Sequence, residues 1–251
     1  MKKIFILLFF PLILFSQVDF QSSNLPIIII ETNNKEIVDD PRIIADMKII
    51  NNSYPLRNYI TDFPNNYDGN ISIEIRGGTS QTFPKKQYGF ETQLIDGSNN
   101  NVSLLNLPSE NDWILSAPYS DKTLIRNIIA YELSKKMGHY APRTKFCELV
   151  INDEYQGIYV LTEKIKRDKN RINISNLNSN DISGDDLTGG YILKIDRLSG
   201  SNTCEIFPTK FADVLIQIDY PKCDNIIAEQ KSYLEIDVLA PVGPWELSLC
   251  R

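Results

Sequence analysis

Histidine is almost absent from this chain: His139 is the only one among 251 residues. One imidazole leaves no ring base for a Ser-His-Asp or Cys-His hydrolase beyond His139 itself, and no Cys/His set for structural zinc. His139 follows Gly138 at a predicted helix end, where its charge suits the dipole, and reads as structural. The four cysteines, Cys147, Cys204, Cys223 and Cys250, contain no C-x-x-C pair, which removes redox and zinc-knuckle readings. Cys147 alternates with apolar neighbours and reads as a buried thiol, while Cys204 and Cys223 are the pair that can join after export. Basic excess is also missing. A net charge of −6 and a pI near 5.0 exclude general binding to nucleic acid or anionic membranes. No apolar run reaches the roughly 20 residues of a membrane span, and no repeat is visible at periods of about 20–50 residues.

What is present begins with Met1-Lys2-Lys3 and the apolar stretch Ile4 to Phe15, closed by Ser16-Gln17. This is the pattern of a secretory signal peptide over residues 1–16, with a mature chain starting near Gln17 and secreted, periplasmic or held at the cell surface. No cysteine lies near the cleavage region to carry a lipid. With 42% apolar and 23% charged residues the remainder is long enough for one large domain or two small ones.

Leu25 to Glu31 is a continuous β-branched run and predicts a buried strand, and Ala45 to Ile50 predicts a second. In Ile71-Ser72-Ile73-Glu74-Ile75-Arg76 the isoleucines take one face, so Arg76 emerges on the polar face beside the Gly77-Gly78 turn. Consecutive N–H groups in such a turn suit an anion; a hairpin turn with a solvated arginine is the plainer alternative. Phe83 to Phe90 returns as a strand. Lys86 shares a side with Tyr88 and Phe90 and Lys85 takes the other, so only one of the two lysines can enter a cleft, and the pattern does not say which. Asp112-Trp113-Ile114-Leu115 predicts a buried patch.

Leu124, Ile125, Ile128, Ile129, Leu133 and Met137 recur at helical spacing, predicting an amphipathic helix from about Asp121 to Met137, capped by Ser120 or Asp121 and ended by Gly138. Phe146 to Ile151 and Gly157 to Glu163 form a hairpin about Asn152-Asp153-Glu154. Lys164 to Arg171 reads as an exposed basic connector. Asp181 to Asp186 lacks the alternating acids of a calcium loop and reads as a solvated turn. Thr188 to Asp196 and Val214 to Tyr220 read as further strands.

Four groups of residues, taken together and in this order, resemble the CotH family of spore-coat protein H-like atypical kinases. They are Arg76-Gly77 through Ser80 with Phe83-Pro84-Lys85-Lys86-Gln87-Tyr88; Asp112-Trp113 with Asp121 to Asn127; Asn152 to Ile165; and Thr188 to Asp196. The resemblance spans residues 25 to 230. It implies an α+β, reduced protein-kinase-like fold, mainly the antiparallel-sheet nucleotide lobe with one central helix. It also implies an exported or coat-associated protein that transfers phosphate from ATP, with Mg²⁺ or Mn²⁺, to serines of a protein substrate. Carried onto this chain, Arg76 and Lys85 or Lys86 contact nucleotide phosphates, and Glu163 sits near the adenine or ribose. The positive groups answer the negative charge that spreads over the transferring phosphoryl oxygens.

The family's later segments, an N-x-D motif and a G-P-x-W-D-x-D metal motif, have no clear counterpart. Gly243-Pro244-Trp245-Glu246-Leu247-Ser248 is a faint echo with Glu246 in the first acidic place. Residues 17–230 therefore read as the first part of a CotH kinase-like domain, residues 231–251 as an unmatched tail, and the helical lobe as largely missing from a truncated chain. Two functions stand side by side: an ATP-dependent protein kinase chain, and an exported non-catalytic module for coat or surface assembly. A metal-binding carboxylate set separates them.

Overall fold

The computed structural model describes residues 19–196, 206–208 and 215–235. The expected signal peptide, the Gly243 to Ser248 echo, Cys204 and Cys250 lie outside the described residues. No helix among those described is long and apolar enough to cross a membrane.

The strands are β1 (Ser22–Ser23), β2 (Ile27–Glu31), β3 (Ile43–Ile50), β4 (Asn58–Tyr59), β5 (Tyr67–Arg76), β6 (Gln87–Gln93), β7 (Asp112–Ser116), β8 (Thr144–Ile151) and β9 (Glu154–Glu163), then β10 (Ile192–Lys194), β11 (Ile206–Pro208) and β12 (Leu215–Tyr220). Helices α1 (Arg126–Lys136), α2 (Gly184–Thr188) and α3 (Ala228–Tyr233) join them, so the class is α+β, sheet-rich with few helices. Seven strands close into a barrel in the order β2-β3-β5-β6-β7-β9-β8. Six of the neighbouring pairs are antiparallel, and the parallel pairing of β8 with β2, Glu148 opposite Ile27, seals the seam. The sheet is mainly antiparallel, as expected, and closes as well: it has no open edge at this seam, because two strands about 120 residues apart in sequence find each other.

Alternation fills the interior. Ile28 and Ile30, Met47 and Ile49, Ile71 and Ile73, Tyr88 and Phe90, Trp113 and Leu115, Cys147 and Leu149, and Tyr159 and Leu161 all meet inside. The unbroken run in β2 has a second use. Its outward residues Ile27 and Ile29 join Ile50, Val150, Phe20, Ile60 and Tyr155 in a smaller cluster on the outer wall, so β2 is covered on both faces. The β8–β9 hairpin turns at Asn152 and Asp153, both at positive φ (48° and 63°), the conformation a tight right-twisting hairpin needs.

Helix α1 is shorter than the apolar spacing predicts. Asp121 accepts hydrogen bonds from the Thr123 N–H (3.1 Å), the Thr123 hydroxyl (2.6 Å) and the Arg126 N–H (3.0 Å), making a turn of its own. Leu124 then sits at φ 59°, which an α-helix does not tolerate, so the helix starts two residues later. None of its residues is buried; Ile125, Ile129, Leu133 and Met137 are 41, 50, 55 and 73% exposed. Past the barrel, β10, β12 and β11 form a small antiparallel sheet around Ile218, Ile226 and Leu234. Cys223 is disulfide-bonded.

Candidate functional site

A cavity of about 770 Å³ opens on the outer face of β7 and β9, beside Ile114, Ser116, Val160 and Thr162, which alternate with the interior Trp113, Leu115, Tyr159 and Leu161. It is bounded by the end of β5, the start of β8, helix α1 and the small sheet. Its size falls within the roughly 300–1,000 Å³ of small-molecule sites. Arg76, at the last position of β5, enters it as the alternation of that strand requires. Among the described residues Arg76 makes no hydrogen bond or salt bridge. Desolvation by the cavity wall lowers its pKa, and Glu74, Tyr131 and Asp196 act on it only through space. The other cations lining the cavity are all paired: Lys164 with Asp112 (3.0 Å), Lys166 with Asp112 (2.6 Å) and Glu110 (2.7 Å), and Lys194 and Lys222 with Asp219 (3.2 and 3.6 Å).

Glu163 lines the same cavity but is held inside its wall. The alternation that turns Tyr159 and Leu161 inward turns Glu163 inward as well, opposite Trp113 on β7. It is completely buried. Its carboxylate accepts from the Arg143 N–H (2.9 Å) and Nε (2.7 Å) and from the Tyr140 hydroxyl (3.4 Å), with Arg171 Nη1 3.5 Å away. Burial and that negative charge push the Tyr140 phenol up to about 12. Arg171 has no exposed side-chain surface and stacks its guanidinium 4.6 Å over the Trp113 ring. Lys164 to Arg171 is therefore not the exposed connector that its charge suggests. Lys166 and Arg171 fold back over the end of the barrel, where Glu110 and Asp112 pair with Lys166, and Glu110 and Glu163 offset part of the desolvation of Arg171. Burial pushes the Asp112 carboxyl up, but the hydrogen bond from Lys166 and the charge of Lys164 outweigh it and hold the pKa at about 2.

The structure thus brings Arg76 and Glu163 to one cavity and leaves Lys85 and Lys86 off its lining. The Lys85 ammonium donates to the Ile158 carbonyl (2.7 Å) and lies 4.6 Å from the centre of the Tyr159 ring, and the Lys86 ammonium donates to the Gln81 carbonyl (2.6 Å). Strand β6 starts at Gln87, so the alternation that assigned the lysines to opposite faces does not extend to them. Sequence reasoning missed Asp112, Lys164, Lys166, Arg143 and Arg171 as parts of the site. A signal existed for two of them: Lys164 and Lys166 continue the two-residue spacing of β9 past its end.

A family model described as CotH kinase protein matches residues 73–235, well over half of the chain. The chain belongs to the CotH kinase protein family. No curated protein gives a match to it. The matched region starts inside β5 and takes in Arg76, Asp112, Glu163 and the small sheet, so the cavity of this CotH-family chain is built from family residues.

Two groups implied by the family can be tested against the side chains. A nucleotide phosphate fits, because Arg76 is an unpaired, partly desolvated cation inside a ligand-sized cavity. A divalent metal does not fit the described residues. No three His, Cys, Asp or Glu side chains among them converge, and the Asp112 and Asp219 carboxylates are each held by two lysines.

Proposed function

We propose that this chain is a CotH-type kinase-like protein that holds ATP in the cavity beside β7 and β9, with Arg76 on the phosphates and the hydroxyl of a protein serine as acceptor. The unpaired guanidinium of Arg76 carries the reading. Every other cation lining the cavity already has a carboxylate partner, with Lys194 and Lys222 sharing Asp219, so Arg76 is the lining cation that gives up no ion pair to meet an anion. Bound ATP supplies the transferable phosphoryl group. Arg76 answers charge on the phosphate oxygens, the side of phosphoryl transfer that is electrostatic rather than covalent. The network of Glu163, Arg143, Arg171 and Trp113 keeps the wall rigid behind it, which holds a bound ligand in register. Calorimetric titration of the purified chain with ATP tests this. Arg76→Ala should weaken binding by roughly 1.5–3 kcal/mol, the scale of a charge-assisted hydrogen bond. Lys85→Ala and Lys86→Ala should leave it unchanged, since both amines are spent on backbone carbonyls. Equal affinity of wild type and Arg76→Ala would remove the reading.

A second reading, an exported non-catalytic module, draws on the lysine-bound state of the Asp112 and Asp219 carboxylates, which leaves the described cavity without a cage for a catalytic metal. ATP binding without label transfer to a serine-rich protein in the presence of Mg²⁺ or Mn²⁺ would favour it; transfer abolished by Arg76→Ala would discard it.

A further inference from the structure

A second cavity, of about 620 Å³, opens on the outer wall of the barrel. Its floor is the external apolar cluster: Ile29, Ile60 and Val150 beside the stacked rings of Phe20 and Tyr155, whose centroids are 4.2 Å apart and planes 4° from parallel. Phe63 stands at its edge with 92% of its surface in solvent, which adds an exposed ring to the apolar floor. Four carboxylates, Asp19, Glu31, Asp62 and Asp153, and one ammonium, Lys48, complete the lining. Asp62 is committed to its own loop through Asn52 and the Tyr59 N–H. Glu31 and Asp153 have no hydrogen-bond or salt-bridge partner for their carboxylates among the described residues. Burial and the neighbouring charge of Asp153 push the Glu31 carboxyl up.

An apolar floor under a rim that stays net negative, with four carboxylates against the one ammonium of Lys48, selects its occupant. Nucleic acid and anionic lipid are repelled by the rim. An uncharged apolar ligand would desolvate Glu31 and Asp153 without pairing them, at a net cost. A peptide placing a large apolar side chain on the floor and a basic residue to each side satisfies both. We propose that this cavity is a docking groove for an extended segment of a partner protein, anchored by an apolar residue and flanked by Lys or Arg.

The groove is separate from the cavity beside β7 and β9. Val150 lines one and Thr144 the other, six residues apart on β8, or about 20 Å at the rise of a strand. A segment docked here leaves that cavity open, and the proposal stands whether or not the cavity takes ATP.

The test is fluorescence polarisation of the full chain with a fluorescein-labelled Gly/Ser peptide carrying a central Phe flanked on both sides by Arg. Saturable binding is expected. It should be lost when Glu replaces the flanking Arg or Ser replaces the Phe, and weakened roughly tenfold by Glu31→Lys combined with Asp153→Lys. The charge-reversed protein should bind the Glu-flanked peptide in exchange, which a merely unfolded variant cannot do. Phe63→Ala, a change at an exposed side chain, should weaken the Arg-flanked peptide alone, and Arg76→Ala should leave it unchanged. Absence of saturable binding, equal binding by the charge-reversed protein, or loss on Arg76→Ala would overturn the proposal. So would sedimentation showing that the groove is filled by a second copy of the chain.

Discussion

The barrel interior and helix α1 carry the same kind of sequence signal and end in opposite environments. In β5 Ile71 and Ile73, two apart, are buried completely at 0% exposure, and Ile75 packs partly buried against the same core. In α1 the apolar residues at every fourth position, Ile125, Ile129, Leu133 and Met137, are 41–73% exposed. Periodicity shows that a face is able to bury itself. Whether it does depends on a surface of matching shape within reach, and the strands carry theirs with them through the barrel seam while the helix does not. The comparison also separates what holds this fold together from what the fold presents to solvent.

The strongest way to break the comparison is to empty the barrel. Trp113 is fully buried, donates its indole N–H to the Glu110 carbonyl (3.0 Å) and supports Arg171 on its face. Trp113→Ala should cost about 3–5 kcal/mol, the range for a large buried aromatic. Thermal denaturation should then show a Tm lower by roughly 6–20 °C for a chain of this size. A small change would mean that the barrel is not the cooperative core.

An intermediate effect is expected at the rim, where the barrel meets solvent through ion pairs. Asp112 has a folded-state pKa of about 2, below the roughly 3.9 of an unfolded aspartate. Its contribution is therefore complete above that unfolded value and is lost as pH falls from about 4 towards 2, on the order of 2 kcal/mol in all. Chemical denaturation at stepped pH should show this loss in wild type. Asp112→Asn should be less stable at neutral pH and should lack that part of the acid limb. Lys166, raised by the same pairing despite its desolvation, gives its support away only at strongly alkaline pH, as pH rises past the ordinary lysine value.

The elements that the sequence makes plain are those whose signal is local. Ile27 to Ile30, Ile71 to Ile75, Tyr88 with Phe90 and the Asn152-Asp153 turn all sit where their spacing and turn chemistry place them. Arg76 is legible for the same reason, as the last outward residue of a counted strand. Closure of the barrel is not legible, because the Ile27–Glu148 pairing depends on two segments that carry no mark of each other. Arg171 is hidden for a related reason. A run of charge reads as solvated unless its partners are known, and Glu163, Glu110 and Trp113 come from other strands and loops. The faces of Lys85 and Lys86 are not legible, because they lie just before their strand begins, where alternation has no authority.

The smallest effect belongs to α1, and it sharpens the comparison because the expected result is near zero. Leu133 keeps 55% of its surface in solvent, so truncation removes little buried area, and alanine is at least as good a helix former at that position. Leu133→Ala should change stability by no more than about 0.5 kcal/mol, as should Ile129→Ala, whose side chain is half exposed. Urea denaturation of both variants beside Trp113→Ala measures the contrast in one series. A loss of about 2 kcal/mol or more at Leu133 is the range of a packed leucine, not an exposed one. It would show that the helix face is covered in solution, and the apolar stripe would then be doing on α1 what the isoleucines do in β5.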